Sequence, residues 1–486
     1  MTAGLAVRRQ DCPQPRNARH TKGVNRRRWR GATVSGVIER LVIFGATGDL
    51  TARYLLHGLA ALQADGHLGD GFRLRGSGRE DWDDEQFRGW AAAQLDRYAG
   101  SLPAAARQAI VAAADYRRAD VGDPGSVAAV VDGAEPVAVY LALPPSVFPA
   151  AVTSLYAAGL PEDSQLVLEK PFGEDLDSAV ALNRLLAEGM PEKNVFRVDH
   201  FLAMTTVRNI LGFRLANRVL EPIWNSAHIE RVDIVWDESL ALEGRAGYYD
   251  GVGALKDMLQ NHLLQLFCLV AMEPPVSLGE RDLRDRKLDV LRSVRPFTKD
   301  GVLRNTRRAR YGSGHLGDRR VPAYRDEDGV DPDSRTETFA QIDFKLDNWR
   351  WPDTTFRLRS GKALGRDRKE VAVHFREVPT LPFWNLHAAP NVLRFGLDPE
   401  NLELELTSLG PWTGRLAPLT LGASLSLPAL PAYAHLLLDV LNRNSALSIR
   451  GDEAEESWRL VTPVLEAWSK DLVPLEEYPA GSEGPA

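Results

Sequence analysis

Cysteine is nearly absent: Cys12 and Cys268 are the only two in 486 residues. A disulfide framework or a cysteine zinc site needs more, so no cysteine redox chemistry and no metal site are expected. No apolar run approaches the ~20 residues that cross a bilayer, and the N-terminal stretch lacks the apolar segment of a signal peptide. No membrane partner is therefore expected, and the cytoplasm is the expected compartment. Internal repeats are also absent, and compositional bias is confined to the N-terminal tail and a Gly/Asp-rich loop at 312–334.

What is present suits a globular chain, with 44% apolar and 26% charged residues. The length exceeds what one core commonly supports, which predicts more than one domain. Charge is uneven: residues 1–30 carry eight Arg and one Lys against the single acid Asp11. Such an aperiodic basic tail cannot offset its ordering entropy and is expected to be disordered, with nucleic acid not expected as a partner. The division predicted is a tail at 1–37, a domain of alternating strands and helices at 38–198 and an α+β domain at 199–486.

That division follows a change of texture. Leu41-Val42-Ile43-Phe44 is a short apolar run of the kind buried on both faces of a parallel sheet. Further strand candidates lie at 72–75, 137–143 and 165–168, alternating with Ala-rich helical stretches at 90–98, 103–114 and 174–188. The alternation predicts a doubly wound parallel sheet of Rossmann type. Beyond residue 199 a long helix around 255–271 and β-rich segments at 337–346, 355–359 and 402–407 predict a large, mainly antiparallel sheet with helices.

Between the first strand and first helix stands Gly45-Ala46-Thr47-Gly48-Asp49-Leu50. Glycines there let the backbone approach a pyrophosphate, whose charge meets the N–H groups of a helix N-terminus. The second strand ends at Gly76-Ser77-Gly78-Arg79, offering a guanidinium to a 2′-phosphate, although Glu80 and Asp81 follow at once. NADP is the expected cofactor, with NAD left open.

Glu169-Lys170-Pro171-Phe172-Gly173, Arg197-Val198-Asp199-His200-Phe201-Leu202, Lys256-Asp257-Met258-Leu259-Gln260-Asn261-His262 and Arg359-Ser360-Gly361-Lys362 occur in that order. Together they resemble the signature blocks of the glucose-6-phosphate dehydrogenase family. The resemblance implies oxidation of glucose 6-phosphate at C1 to the lactone with hydride transfer to NADP, in dimers or tetramers. It also implies residue roles. His262 would be the catalytic base, Asp199 its partner, and Lys170 would touch cofactor and sugar. His200 would face the sugar phosphate, and Glu238 and Asp257 the sugar hydroxyls. A base of this kind suits the chemistry, since neutral imidazole titrates near the working pH and a carboxylate on its other nitrogen holds the tautomer.

The chain departs from the family pattern where the 6-phosphate is held. Phe201 and Met204 replace a tyrosine and a lysine, and Asp398 stands near a position that is often glutamine. Arg208, one helical turn beyond Met204, with Lys362 and Arg368, are the remaining cationic candidates. Two alternatives therefore stand beside the first reading: the same C1 dehydrogenation of an unphosphorylated or modified hexose, and a catalytically silent homologue.

Overall fold

The computed structural model describes residues 37–244, 246–378, 388–409, 416–424 and 430–486. The basic tail expected at 1–37 lies, but for Val37, outside them. Residues 37–486 form one compact unit.

Six parallel strands make the first sheet: β1 (Arg40–Phe44), β2 (Arg73–Gly78), β3 (Ala114–Arg118), β4 (Ala138–Leu141), β5 (Gln165–Glu169) and β6 (Val195–Val198). Their order is β3-β2-β1-β4-β5-β6, so the order reverses between β1 and β4. Ligands of doubly wound sheets bind in the crevice that this reversal opens at the carboxyl ends of the strands. The apolar run in β1 explains its central place. Val42 and Phe44 enter one hydrophobic core while Leu41 and Ile43 enter another on the opposite face, as the two-residue period of a strand requires. β3 escaped the sequence reading because Ala-Asp-Tyr-Arg-Arg has no apolar run; it is an edge strand that buries only Ala114 and Tyr116.

The second sheet is built from β7 (Ile229–Asp237), β8 (Thr306–Gly312), β11 (Phe339–Phe344), β12 (Thr355–Gly361), β13 (Arg368–Phe375), β14 (Val392–Leu397), β15 (Glu400–Leu409), β16 (Leu416–Ser424) and β17 (Leu475–Pro479). It runs β16-β15-β14-β13-β7-β12-β11-β8-β17, antiparallel except where β7 meets β12 and β8 meets β17. The Gly/Asp-rich loop is not featureless: β9 (Gly314–Leu316) and β10 (Arg319–Val321) pair as a small hairpin, with Gly317 at φ +59 between them. Glycine takes that conformation without steric cost.

Two connections position the site. The stretch at 255–271 is not one α-helix but a π-helical segment, Leu255–Leu263, running into an α-helix, Leu264–Ala271, whose residues are all buried. The helix Ala432–Leu441 comes from late in the chain yet packs its Leu436, Leu437 and Val440 into the core on one face of the first sheet. Ile38 N–H donates to Leu441 O across this junction.

Candidate active site

β6 ends at Val198, and Asp199 caps the 3₁₀ turn His200–Ala203 by accepting from Phe201 N–H. The same Oδ1 lies 2.5 Å from Nδ1 of His262, and both side chains are almost wholly buried. A carboxylate that can only accept fixes the tautomer: Nδ1 carries the proton and Nε2 is left with a lone pair. Burial alone would raise the Asp199 pKa, but the charge and hydrogen bond of His262 outweigh it and hold the group well below the usual carboxylate range. For His262 burial dominates over Asp199, so its pKa is lowered and the ring is neutral near pH 7.

The wide helix matters here. In π geometry the hydrogen bond runs between residues five apart, so Asp257 and His262 lie about one turn apart on this segment. Lys170 follows β5, and its Nζ donates to the Asp257 carbonyl oxygen at 3.0 Å, with the Asp257 carboxylate at 3.7 Å. Lys170, Asp257 and Asn261 line a cavity of about 400 Å³ with Pro145, Ser146 and Trp458. Asp199, His200, His262, Lys170 and Asp257, separate in sequence, thus converge at the carboxyl ends of β5 and β6.

His200 stacks on Tyr433 at 5.8 Å and meets His262 edge-on at 5.1 Å. Burial pushes its pKa down to about 3, so the ring is uncharged. Phe201, read from the sequence only as a missing phosphate donor, is 3% exposed and stacks on the His262 ring at 4.0 Å and 11°. Trp236 also packs against Phe201, tilted by 46° at 4.4 Å. This aromatic wall removes water from the imidazole and was not foreseen. Glu169 was not foreseen either: half-buried, it accepts from Tyr140 at 2.5 Å and from Tyr433 at 3.4 Å, and loss of solvent raises its pKa to about 7. Tyr433 could not be found from its neighbours in sequence, because only the returning helix brings it to the site.

The expected cations are all engaged by carboxylates. Lys362 bonds Glu238 Oε2 at 2.7 Å, Arg368 bonds Glu370 at 2.7 Å, and Arg208 is bound to Asp439. Asp398, expected to repel an anion, instead pairs with Lys369 at 2.8 Å, which offsets its charge.

At the nucleotide end, Gly45 has φ +81, and its N–H and that of Ala46 both donate to Ser77 O. A Cβ at Gly45 would lie 2.1 Å from the Ala142 carbonyl oxygen, so the turn closes only around glycine. Thr47 and Gly48 complete the turn, and the helix starts at Asp49 and Leu50 with backbone N–H groups that have no intrahelical acceptor. Asp49 pairs with Arg53 at 2.6 Å, while Arg79 is exposed beyond β2. The turn, its helix N-terminus and the adjoining cleft fit a dinucleotide.

This combination defines an oxidoreductase with a dinucleotide fold. The family models for the glucose-6-phosphate dehydrogenase NAD binding domain and C-terminal domain match residues 42–209 and 211–486. Glucose-6-phosphate 1-dehydrogenase of Zymomonas mobilis is 37% identical, the match covering 93% of this chain and 97% of the relative. The Mycolicibacterium smegmatis enzyme is 39% identical, with 91% and 94% covered. A solved glucose-6-phosphate dehydrogenase in complex with glucose 6-phosphate superposes with TM-score 0.86 at 30% identity, over 93% of this chain and 97% of the other. The chain belongs to the glucose-6-phosphate dehydrogenase family.

Two outcomes are expected. Gly45→Ala should lower stability by more than the about 1–2 kcal/mol of a left-handed non-glycine residue, because the Cβ also collides with backbone; chemical denaturation and dinucleotide titration measure this. The His262 imidazole, followed by NMR, should titrate below the ordinary 6.5, and Phe201→Ala should move it back upward by readmitting water.

Proposed function

We propose that the chain oxidises glucose 6-phosphate at C1 to 6-phosphogluconolactone, passing hydride to NADP. The observation that carries this is the buried Asp199 and His262 pair beside Lys170 and Asp257, in a chain whose relatives over nearly its whole length are glucose-6-phosphate 1-dehydrogenases. NADP, when bound, supplies the hydride acceptor. Gly45, Thr47, Gly48, Asp49 and Leu50 would hold its pyrophosphate, Arg79 its 2′-phosphate, and Lys170 would stand between nucleotide and sugar.

Nε2 of His262 takes the proton of the C1 hydroxyl. Asp199 keeps Nδ1 protonated beforehand and stabilises the imidazolium afterwards, so no proton needs to leave the pair during the step. The Phe201 wall keeps the resting ring neutral and therefore ready to accept. Asp257 and Glu238 accept hydrogen bonds from sugar hydroxyls, and Lys170 donates one. His200, being uncharged, offers a phosphate a neutral hydrogen bond only. Lys362, Arg368 and Arg208 reach an anion by loosening their present carboxylate partners.

That last requirement supports a second reading, in which the preferred sugar carries no 6-phosphate. Self-association into dimers or tetramers is supported by the exposed Leu409, Leu419 and Leu421 on the outermost strands β15 and β16. A cytoplasmic setting agrees with the finding that no helix among the described residues is long and apolar enough to cross a membrane.

His262→Asn should lower kcat by about 10²–10⁴-fold with cofactor affinity unchanged. Asp199→Asn should lower kcat more than it raises KM. Turnover within a few-fold of wild type in either variant would place the base elsewhere.

The phosphate end is tested by substrate comparison. Wild type should prefer glucose 6-phosphate over glucose, with a high KM. Phe201→Tyr with Met204→Lys should lower that KM by about 10–150-fold, the worth of a charge-assisted contact, while glucose turnover changes little. Equal or better turnover of glucose by wild type would favour the second reading.

A further inference from the structure

Beside the glycine turn a carboxylate has been built into the place where nucleotide specificity is set. Glu80 follows β2 by two residues and is partly buried. Tyr116, on the neighbouring strand β3, donates its hydroxyl to Glu80 Oε2 at 3.3 Å and to the Glu80 carbonyl oxygen at 3.1 Å. Thr47, in the turn after β1, turns its hydroxyl to the same place. The three groups converge over Gly78: a Cβ there would lie 2.5 Å from Glu80 Oε2, 3.0 Å from the Tyr116 hydroxyl and 3.6 Å from Thr47 Oγ1. Partial burial opposes the charge of Glu80, but the polar groups around it, its own backbone N–H, the Thr47 and Tyr116 hydroxyls and the nearby Arg79, outweigh that and lower its pKa. The Tyr116 phenol, raised to about 12 chiefly by burial, stays a donor.

An oriented carboxylate at the carboxyl edge of the second strand is the group by which dinucleotide folds accept hydrogen bonds from the adenosine ribose. A 2′-phosphate placed there faces like charge instead. Arg79, adjacent and exposed, attracts that phosphate. The edge of the sheet therefore carries both signs, one suited to each dinucleotide.

We propose that Glu80 is a specificity-determining residue that admits NAD as a second cofactor, receiving the ribose hydroxyls of NAD and weakening the hold of Arg79 on the 2′-phosphate of NADP. The proposal rests on the nucleotide half of the function above and is independent of which sugar is oxidised.

Calorimetric titration of the purified full-length protein with NAD and with NADP, without sugar, tests it. Wild type should bind both with dissociation constants within about tenfold. Glu80→Gln keeps partners for Tyr116 and Thr47 while removing the charge; it should weaken NAD, tighten NADP, and move the ratio of the two constants about 10–150-fold toward NADP. Arg79→Ala should weaken NADP and leave NAD within twofold. The NADP to NAD ratio of kcat/KM, measured with glucose 6-phosphate, should follow the binding ratio. Undetectable NAD binding by wild type, or Glu80→Gln changing both constants in the same direction with their ratio within twofold, overturns the proposal. Failure to bind either dinucleotide would also overturn the nucleotide assignment, whereas failure on glucose 6-phosphate with normal titrations would leave the proposal standing and revise only the sugar.

Discussion

The contact between Asp199 Oδ1 and His262 Nδ1 is the constraint to which the rest of the cleft is fitted. Removing a carboxylate from water costs several kcal/mol unless hydrogen bonds replace the lost hydration. Asp199 recovers part of that from the Phe201 N–H and part from the imidazole, while its Oδ2 has no protein partner. The pair therefore holds only if the end of β6 and the π-helical turn are held in register. Leu255, Leu259 and Leu263 hold one side by packing into the largest core, and the buried turn residues Phe201, Leu202 and Ala203 hold the other. An imidazole that is neutral, oriented and dry is thus a property of the packing as much as of the two residues.

Around this pair the charges are arranged in couples. Lys170 meets Asp257, Lys362 meets Glu238, Arg368 meets Glu370 and Lys369 meets Asp398. Such pairing keeps cations satisfied in a partly buried cleft, where an unmatched charge is costly. It also sets a competition, because an anionic substrate gains a cation only as a carboxylate loses one. The uncharged His200 and the apolar face of Phe201 sharpen that competition, since neither supplies positive charge beside His262.

The candidate site residues were named before the structure, and the fold brings several of them together. Gly45, Lys170, Asp199 and His262 stood in motifs whose types and order point to dinucleotide and proton transfer, and the apolar run in β1 announced a buried parallel strand. Less legible were features that depend on distant segments. β3 has no apolar run to betray it, and the helix carrying Tyr433 belongs by sequence to the second half of the chain but packs against the first sheet. Phe201 looked like a loss, a tyrosine without its hydroxyl; only its stacking on His262 reveals a gain in desolvation.

By itself, then, the amino-acid order determined the two sheet types and the glycine turn, because these follow from periods of two and 3.6 residues and from the conformational freedom of glycine, while the candidate reacting groups came from the resemblance of their motifs to a known family. Tertiary structure alone decided protonation, pairing and orientation. Whether His262 is neutral, whether Asp398 repels or is itself neutralised by Lys369, and whether Glu80 lies over Gly78 or in solvent depend on which groups from remote strands approach within a few ångströms. Electrostatic interaction and desolvation are set by distance and burial through the folded chain, and separation along the sequence carries almost no information about either.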